Sequence, residues 1–423
     1  MTINLVLTPY DRALLDGAHG AGACMAMRIM VRMAEVYGAG DLMDITAAHI
    51  DSALYMGDAT LEYAERLVEL GAHVVVPATS NVSGVDEHGW REWAVPAEWA
   101  EKAQRHMAAY RELGCLPTWT CAPYQTVHRP AFGQQIAWGE SNAIAFANSV
   151  IGARTERYPD LLDICAAITG RVPAAGLHLT HNRAGQILLR LPALPVGMQD
   201  DDSFYPVLGH LMGEVAGDRI PVVEGLSARP TEDQLKAVCA AAASSGAVAL
   251  FHLVGVTPEA PTAEAAFQGR APSLVVDVTL ERLRAARREL STNDSSALDM
   301  VVLGSPHFSL AEFRMLAPLL AGQRRNPDVQ FLVTTSRVVA ELARRAGLLE
   351  PLREFGGRLT VDTCILTTPM LPAEVKLLMT NSAKYAYYAP GLLGVSVAFG
   401  GLQDCVGSAV AGQVSRSQSL WEQ

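Results

Sequence analysis

The chain has 423 residues, 50% of them hydrophobic and 18% charged, which is enough apolar material for two or three packed domains and excludes disorder as the default. A formal charge of −11, with no basic stripe interleaved with aromatics, excludes nucleic acid as an expected partner. The seven cysteines (Cys24, Cys115, Cys121, Cys165, Cys239, Cys364 and Cys405) are odd in number and scattered, which speaks for free thiols against a disulfide framework.

The opening stretch MTINLVLTPYDRALLDG carries acidic residues early and lacks a basic region followed by an apolar one. No signal peptide is therefore expected, and the protein is placed in the cytoplasm. Gly17, Gly20 and Gly22 superficially suggest a phosphate loop, but no strand precedes them and no GK[ST] follows. Amphipathic stretches near residues 10–37, 58–70 and 96–113 predict helices. Between them HVVVPATSN and PTWTCAPY predict strands that end in polar residues.

The densest polar run in this apolar chain spans Cys121 to Arg154. Glu140, Ser141, Asn142, Asn148, Ser149 and Arg154 lie there among Ile, Ala, Val and Phe. Buried polar groups need hydrogen-bond partners, and either a bound ligand or helix capping and internal pairing supplies them.

From about residue 218 short apolar runs alternate with helical stretches: IPVVEGL, TEDQLKAVCAAAASSG, AVALFHLVGV, PSLVVDV, TLERLRAARREL, DMVVLGSPHFS, LAEFRMLAPLLAGQ, VQFLVTTS, RVVAELARRAG and RLTVDTCIL. The alternation predicts a layered α/β fold with mostly parallel sheets. We expect two lobes, residues 1–215 and 216–423, with no flexible linker between them. The longest apolar run, Cys239 to Val256, is broken by Ser244, Ser245, Gly246 and His252 and reads as a helix, a turn and a strand, so no membrane contact is expected. Ligands of parallel sheets gather beyond the carboxyl ends of strands, which singles out Ser305–His307, Thr334–Ser336 and Asp362–Cys364.

Cys121 and Cys364, each at the end of a strand-like run, suit a metal or an iron–sulfur cluster, with plain core cysteines as the alternative. His73, His178, His181, His252 and His307 lie near strand-like segments but none has the HExxH or HxH spacing of a zinc site. His307, in GSPHFS, is the one best placed for a role. A GxSxG nucleophile elbow is absent.

The runs GAHVVVPATSNVSGVD, TCAPY, IAWGESNAIAFANSVIGARTER, AAITGRVPAAGLHL, VVLGSPHFSLAEF, VDTCIL and NSAKYAYYAPG, in that order, resemble the large subunit of the aconitase X family. The resemblance covers nearly the whole chain, LDGAHG and ITAAHID included. It implies aconitase-like α/β/α lobes and an iron–sulfur cluster with one iron open to substrate, held at the positions of Cys121, Ser305 and Cys364. This sequence departs from the family at residue 305, where archaeal relatives acting on mevalonate 5-phosphate read GCPH and this chain reads GSPH. Serine is a poor iron ligand, so a [2Fe–2S] cluster or a single iron is expected in place of a complete [4Fe–4S] site.

Members of the family with serine at that position eliminate water from cis-3-hydroxy-L-proline, giving an enamine that tautomerises to Δ1-pyrroline-2-carboxylate. The resemblance therefore implies a hydro-lyase for that substrate, with mevalonate 5-phosphate dehydration, or a metal-free binding or regulatory subunit of the same fold, as alternatives. Matched motifs assign Glu140, Ser141, His178 and Lys384 to the catalytic set, and Asn81, Asn148, Ser149, Arg154 and Ser382 to substrate binding. Among these, Arg154 and Lys384 are the groups expected to hold the substrate carboxylate. The base is expected to be a serine on a small swivelling domain, supplied here as a separate subunit.

Overall fold

The computed structural model describes residues 5–126, 128–292, 297–417 and 421. The first four residues of the opening stretch and Val127 of the polar run lie outside them.

Helices α1 (Pro9–Leu15) and α2 (Ala21–Tyr37) open the chain. Ala23, Ala26, Met27, Met30 and Ala34 recur on one face of α2 and are buried there, and Gly38 ends the helix at a φ of 69° that favours glycine. The rest of this unit comprises β1 (Leu42–Asp44), β2 (Ala48–Ile50), α3 (Asp58–Glu69), β3 (Ala78–Ser80), α4 (Ala97–Glu112), β4 (Ala137–Trp138), α5 (Ser141–Phe146), α6 (Leu162–Thr169) and β5 (Arg171–Pro173). The amphipathic stretches thus fold as helices, whereas PTWTCAPY makes no strand. Leu116 forms one isolated bridge to Thr79, Trp119 adopts a φ of 39°, and the hydroxyls of Thr118 and Thr120 bond nearby backbone in place of a ladder. β2 pairs in parallel with β3 and with β4, and β1 pairs antiparallel with β5.

A second unit runs through β6 (Ile187–Arg190), α7 (Phe204–Ala216), β7 (Pro221–Glu224), α8 (Glu232–Ser245), β8 (His252–Leu253), α9 (Ala263–Ala266), β9 (Leu274–Asp277) and α10 (Leu280–Glu289). Its strands are parallel in the order β8-β7-β6-β9. Because β6 precedes residue 216 and β7 follows it, this sheet draws on both of the expected lobes. The apolar run from Cys239 becomes the end of α8, a turn and a short strand. No helix among the described residues is long and apolar enough to cross a membrane.

The third unit holds β10 (Met300–Leu303), α11 (Leu310–Leu320), β11 (Gln330–Thr335), α12 (Arg337–Arg345), α13 (Glu350–Phe355), β12 (Arg358–Val361), β13 (Leu377–Thr380), α14 (Ala383–Leu393), β14 (Ser396–Phe399) and α15 (Leu402–Ala411). All five strands are parallel, in the order β12-β11-β10-β13-β14. β10 and β13 are buried at every residue, as a sheet covered on both faces requires. The chain steps from β10 outward to β12, then crosses back to β13, so the strand order reverses between β10 and β13. The fold is α/β with mostly parallel sheets, as the alternating pattern predicts.

Candidate active site

The reversal point is where an open parallel sheet leaves a crevice for a ligand. β10 is followed by Gly304, whose φ of 101° and close approach to the Thr334 carbonyl leave no room for a Cβ. Ser305 follows, and Ser382, beyond the end of β13, donates its hydroxyl to the Ser305 carbonyl. Ser382 also caps α14 by accepting from the Tyr385 amide, which directs Lys384, in the first turn, toward the crevice. Two strands from β10, just past β12, Asp362 is a non-glycine residue with φ 65°, held there by its carboxylate bonds to the Arg337 amide and guanidinium, each 2.8 Å. Cys364 comes next. Its loop is tied to the first unit because the Ser83 amide donates to the Asp362 carbonyl at 2.7 Å and the Thr363 hydroxyl donates to the Ser83 carbonyl at 3.1 Å.

A cavity of about 300 Å³ lies between these loops and the start of α5. Cys121, Ser305 and Cys364 line it together, as do Asn81, Glu140, Ser141 and Lys384. Glu140 caps α5 by accepting from the Ala143 amide at 2.7 Å and accepts from the Lys384 ammonium at 2.6 Å. Capping of α5 thus falls to Glu140, which also lines the cavity, and not to Ser141 or Asn142. His307 also lines the cavity: its amide points at the Cys121 sulfur at 3.2 Å, and its ring bridges the Thr120 hydroxyl (3.2 Å) and the Thr363 carbonyl (3.1 Å). Burial pulls the imidazole down to about 4, which makes it a neutral brace between the two cysteine loops.

Sequence reasoning missed Asp51, Arg157 and Asp160, which line the same cavity. Asp51 follows a three-residue strand inside ITAAHID, so its only visible mark was a strand-end position. The Asn81 amide donates to its carboxylate. Burial, and then the charges of Glu140 and Asp163, push its carboxyl up to about 8. Burial also opposes the charge on Lys384, but Glu140 outweighs it and holds the ammonium above its ordinary range. Glu140 answers in kind: burial raises it, Lys384 lowers it, and the net shift is downward.

Five of the residues assigned to the site from sequence do not line the cavity. Asn148 bonds the Thr155 and Ala249 carbonyls and the Thr155 amide, and Ser149 accepts from the Phe251 amide, so both satisfy backbone within the fold. Arg154 lies among the charges of Arg183 and Glu259. His178 is one residue behind the wall: its ring contacts the Tyr158 hydroxyl, and Tyr158 lines the cavity. Ser382 reaches the site through Ser305 alone, from a neighbouring cleft.

The donor set can be tested for iron. All seven cysteines are free thiols. Burial pushes the Cys121 thiol up to about 12 and raises Cys364 as well, so each stays protonated unless a cation replaces its proton. Two thiols and a hydroxyl lining one cavity suit iron better than magnesium or calcium, which take oxygen ligands. The residues fit an iron held through Cys121 and Cys364; they do not supply the three thiolates of a cubane cluster.

Residues 4–181 match the aconitase X first domain, 185–288 the second domain and 298–411 the third domain. The chain is 48% identical over 418 residues to the cis-3-hydroxy-L-proline dehydratase of Pseudomonas aeruginosa, covering 98% of this chain and 72% of that one. It is 37% identical over 391 residues to the phosphomevalonate dehydratase large subunit of Methanothermobacter thermautotrophicus, covering 92% and 95%. Its fold is similar to the crystal structure of Thermococcus kodakaraensis aconitase X in the holo-form, with a TM-score of 0.85 at 32% identity over 96% of this chain and 100% of that chain.

Proposed function

The chain belongs to the aconitase X family, and on that premise we propose that it is a hydro-lyase that removes water from cis-3-hydroxy-L-proline to give Δ1-pyrroline-2-carboxylate. The observation that carries this reading is the cavity in which Cys121, Cys364 and Ser305 meet a balanced set of charges. Glu140 and Asp160 bring two negative charges, Lys384 and Arg157 two positive ones, and Asp51, pushed up to about 8, is protonated at neutral pH. Such a site suits a zwitterionic amino acid better than a phosphate dianion, which favours hydroxyproline over mevalonate 5-phosphate.

Water loss breaks the Cα–H and C3–O bonds, leaves an enamine, and returns a proton on tautomerisation to the cyclic imine. Iron held by Cys121 and Cys364, as a [2Fe–2S] cluster or a single ion, supplies a Lewis acid for the departing oxygen when bound. Lys384 and Arg157 face the substrate carboxylate, and Glu140 fixes the Lys384 ammonium through their 2.6 Å bond. Asp51, oriented by Asn81, holds the proton that leaves with the hydroxyl. Ser141 lines the wall beside Glu140.

The base belongs to a small partner carrying a serine, which we assign to a separate subunit. Support for such a partner is that the archaeal relative, which this chain matches over 95% of that protein's length, is called a large subunit. Leu392, 60% exposed on the cavity wall, is an apolar group that such a part would cover. The free thiols accord with a cytoplasmic setting.

Iron and sulfide content measured beside turnover tests the reading. Anaerobic co-expression with the small partner is expected to give an iron-bearing complex whose turnover disappears in Cys121→Ala and Cys364→Ala. An active, iron-free complex would refute the metal mechanism and leave the family assignment alone.

A further inference from the structure

Away from this cavity, helices α7 and α10 bring together a histidine and two glutamates that no step above uses. His210 and Glu214 are one turn apart on α7, and Glu289 closes the last turn of α10. His210 is 4% exposed, and its buried Nε2 has no hydrogen-bond partner. That atom points at Glu289 Oε2, 3.5 Å away, and Glu214 Oε1, 3.6 Å away. All three ligand atoms lie within 4.8 Å of one another.

The two distances decide between readings. They are long for a directed hydrogen bond, which is made at about 2.7–3.2 Å. Two ligand atoms that share one ion at about 2.1 Å each, in tetrahedral geometry, stand about 3.4 Å apart. The two histidine–carboxylate distances therefore fit ligands that share one ion.

Electrostatics agree. Both glutamates lie at helix C-termini, where the backbone already presents negative charge; the last turn of α7 has no basic residue, and that of α10 carries Arg287 and Arg288. Burial and the neighbouring Glu289 charge raise Glu214, with Arg282 opposing them. A doubly charged cation would remove this repulsion. A neutral imidazole binds metal through a ring-nitrogen lone pair, and the His210 Nε2 is the atom without a partner. Glu214 and Glu289 remain 42% and 52% exposed, which leaves an entry path and room for water as a fourth ligand.

We propose that His210, Glu214 and Glu289 form a second metal site, for a divalent transition-metal ion of the zinc class, that clamps α7 to α10. Nitrogen and carboxylate ligands set it apart from the thiol-lined cavity.

Cobalt(II) serves as the probe, titrated into metal-stripped full-length protein carrying Cys121→Ala and Cys364→Ala, so that the cavity contributes no thiolate. The expected result is one equivalent bound with visible ligand-field bands, no sulfur charge-transfer band, displacement by zinc, and a zinc-dependent rise in melting temperature. His210→Gln in this background should weaken binding by about ten-fold or more with an unchanged circular dichroism spectrum. Glu289→Gln, a conservative change at a half-exposed position, should do the same should the histidine variant fail to fold. Absence of cobalt uptake, or uptake that both substitutions leave unchanged, would overturn the site.

Discussion

Asp51 and Glu140 show how two carboxylates on one wall take different roles. Glu140 has a lysine at 2.6 Å and stays ionised, whereas Asp51 has an amide donor and two like charges and keeps its proton to about pH 8. A proton donor of that kind works while protonated, so kcat/KM is expected to fall as pH rises through about 8. Asp51→Asn should lower turnover and remove that descending limb; a pH profile that keeps it would assign the limb to another group. Glu140→Ala leaves the buried Lys384 ammonium unpaired and should destabilise the fold by about 3 kcal/mol in urea unfolding. Pairing Glu140→Leu with Lys384→Met should restore much of that stability without restoring turnover, because the carboxylate partner is gone. Of these residues Glu140 and Lys384 were legible from motifs, while Asp51 was not, since a lone aspartate after a short strand looks like any turn. The converse case is as instructive. Asn148, Ser149 and Arg154 were conspicuous as polar residues in an apolar run, but Asn148 and Ser149 brace the backbone and Arg154 lies off the cavity. Composition registers that a buried polar group needs a partner and is silent on whether that partner is substrate or chain.

At the scale of elements, the alternation of apolar runs with helical stretches made the third unit readable, because strands buried on both faces leave continuous Val, Ile and Leu. The strand-end rule then located Ser305, His307 and Cys364, while Thr334 proved to pack on Gly304 and Ser336 to cap α12. The Cys121 segment resisted the same reading. Its threonine hydroxyls do the work of a partner strand, and no periodicity records that. Gly304 sets the turn into the site, since its positive φ and its close packing on Thr334 admit no Cβ. Gly304→Ala should destabilise the protein by about 2–3 kcal/mol and displace Ser305, read out as a lower urea midpoint and weaker iron retention. An unchanged midpoint would mean that the turn relaxes freely.

For the whole molecule, the cavity joins distant parts of the chain: Asp51, Asn81, Cys121 and Glu140 come from the first unit, Ser305, Cys364 and Lys384 from the third. Their docking rests on the Ser83–Asp362–Thr363 bonds and on His307 between the cysteine loops. Such long-range convergence was visible in sequence through family motifs and not through local patterning. The central claim is a substrate preference built into that convergence, a charge-balanced cavity for an amino acid. The direct test gives the iron-loaded complex of this chain and its small partner cis-3-hydroxy-L-proline and mevalonate 5-phosphate in parallel, and follows each product. The account predicts Δ1-pyrroline-2-carboxylate from the first with little turnover of the second; efficient dehydration of mevalonate 5-phosphate, with hydroxyproline untouched, would contradict it.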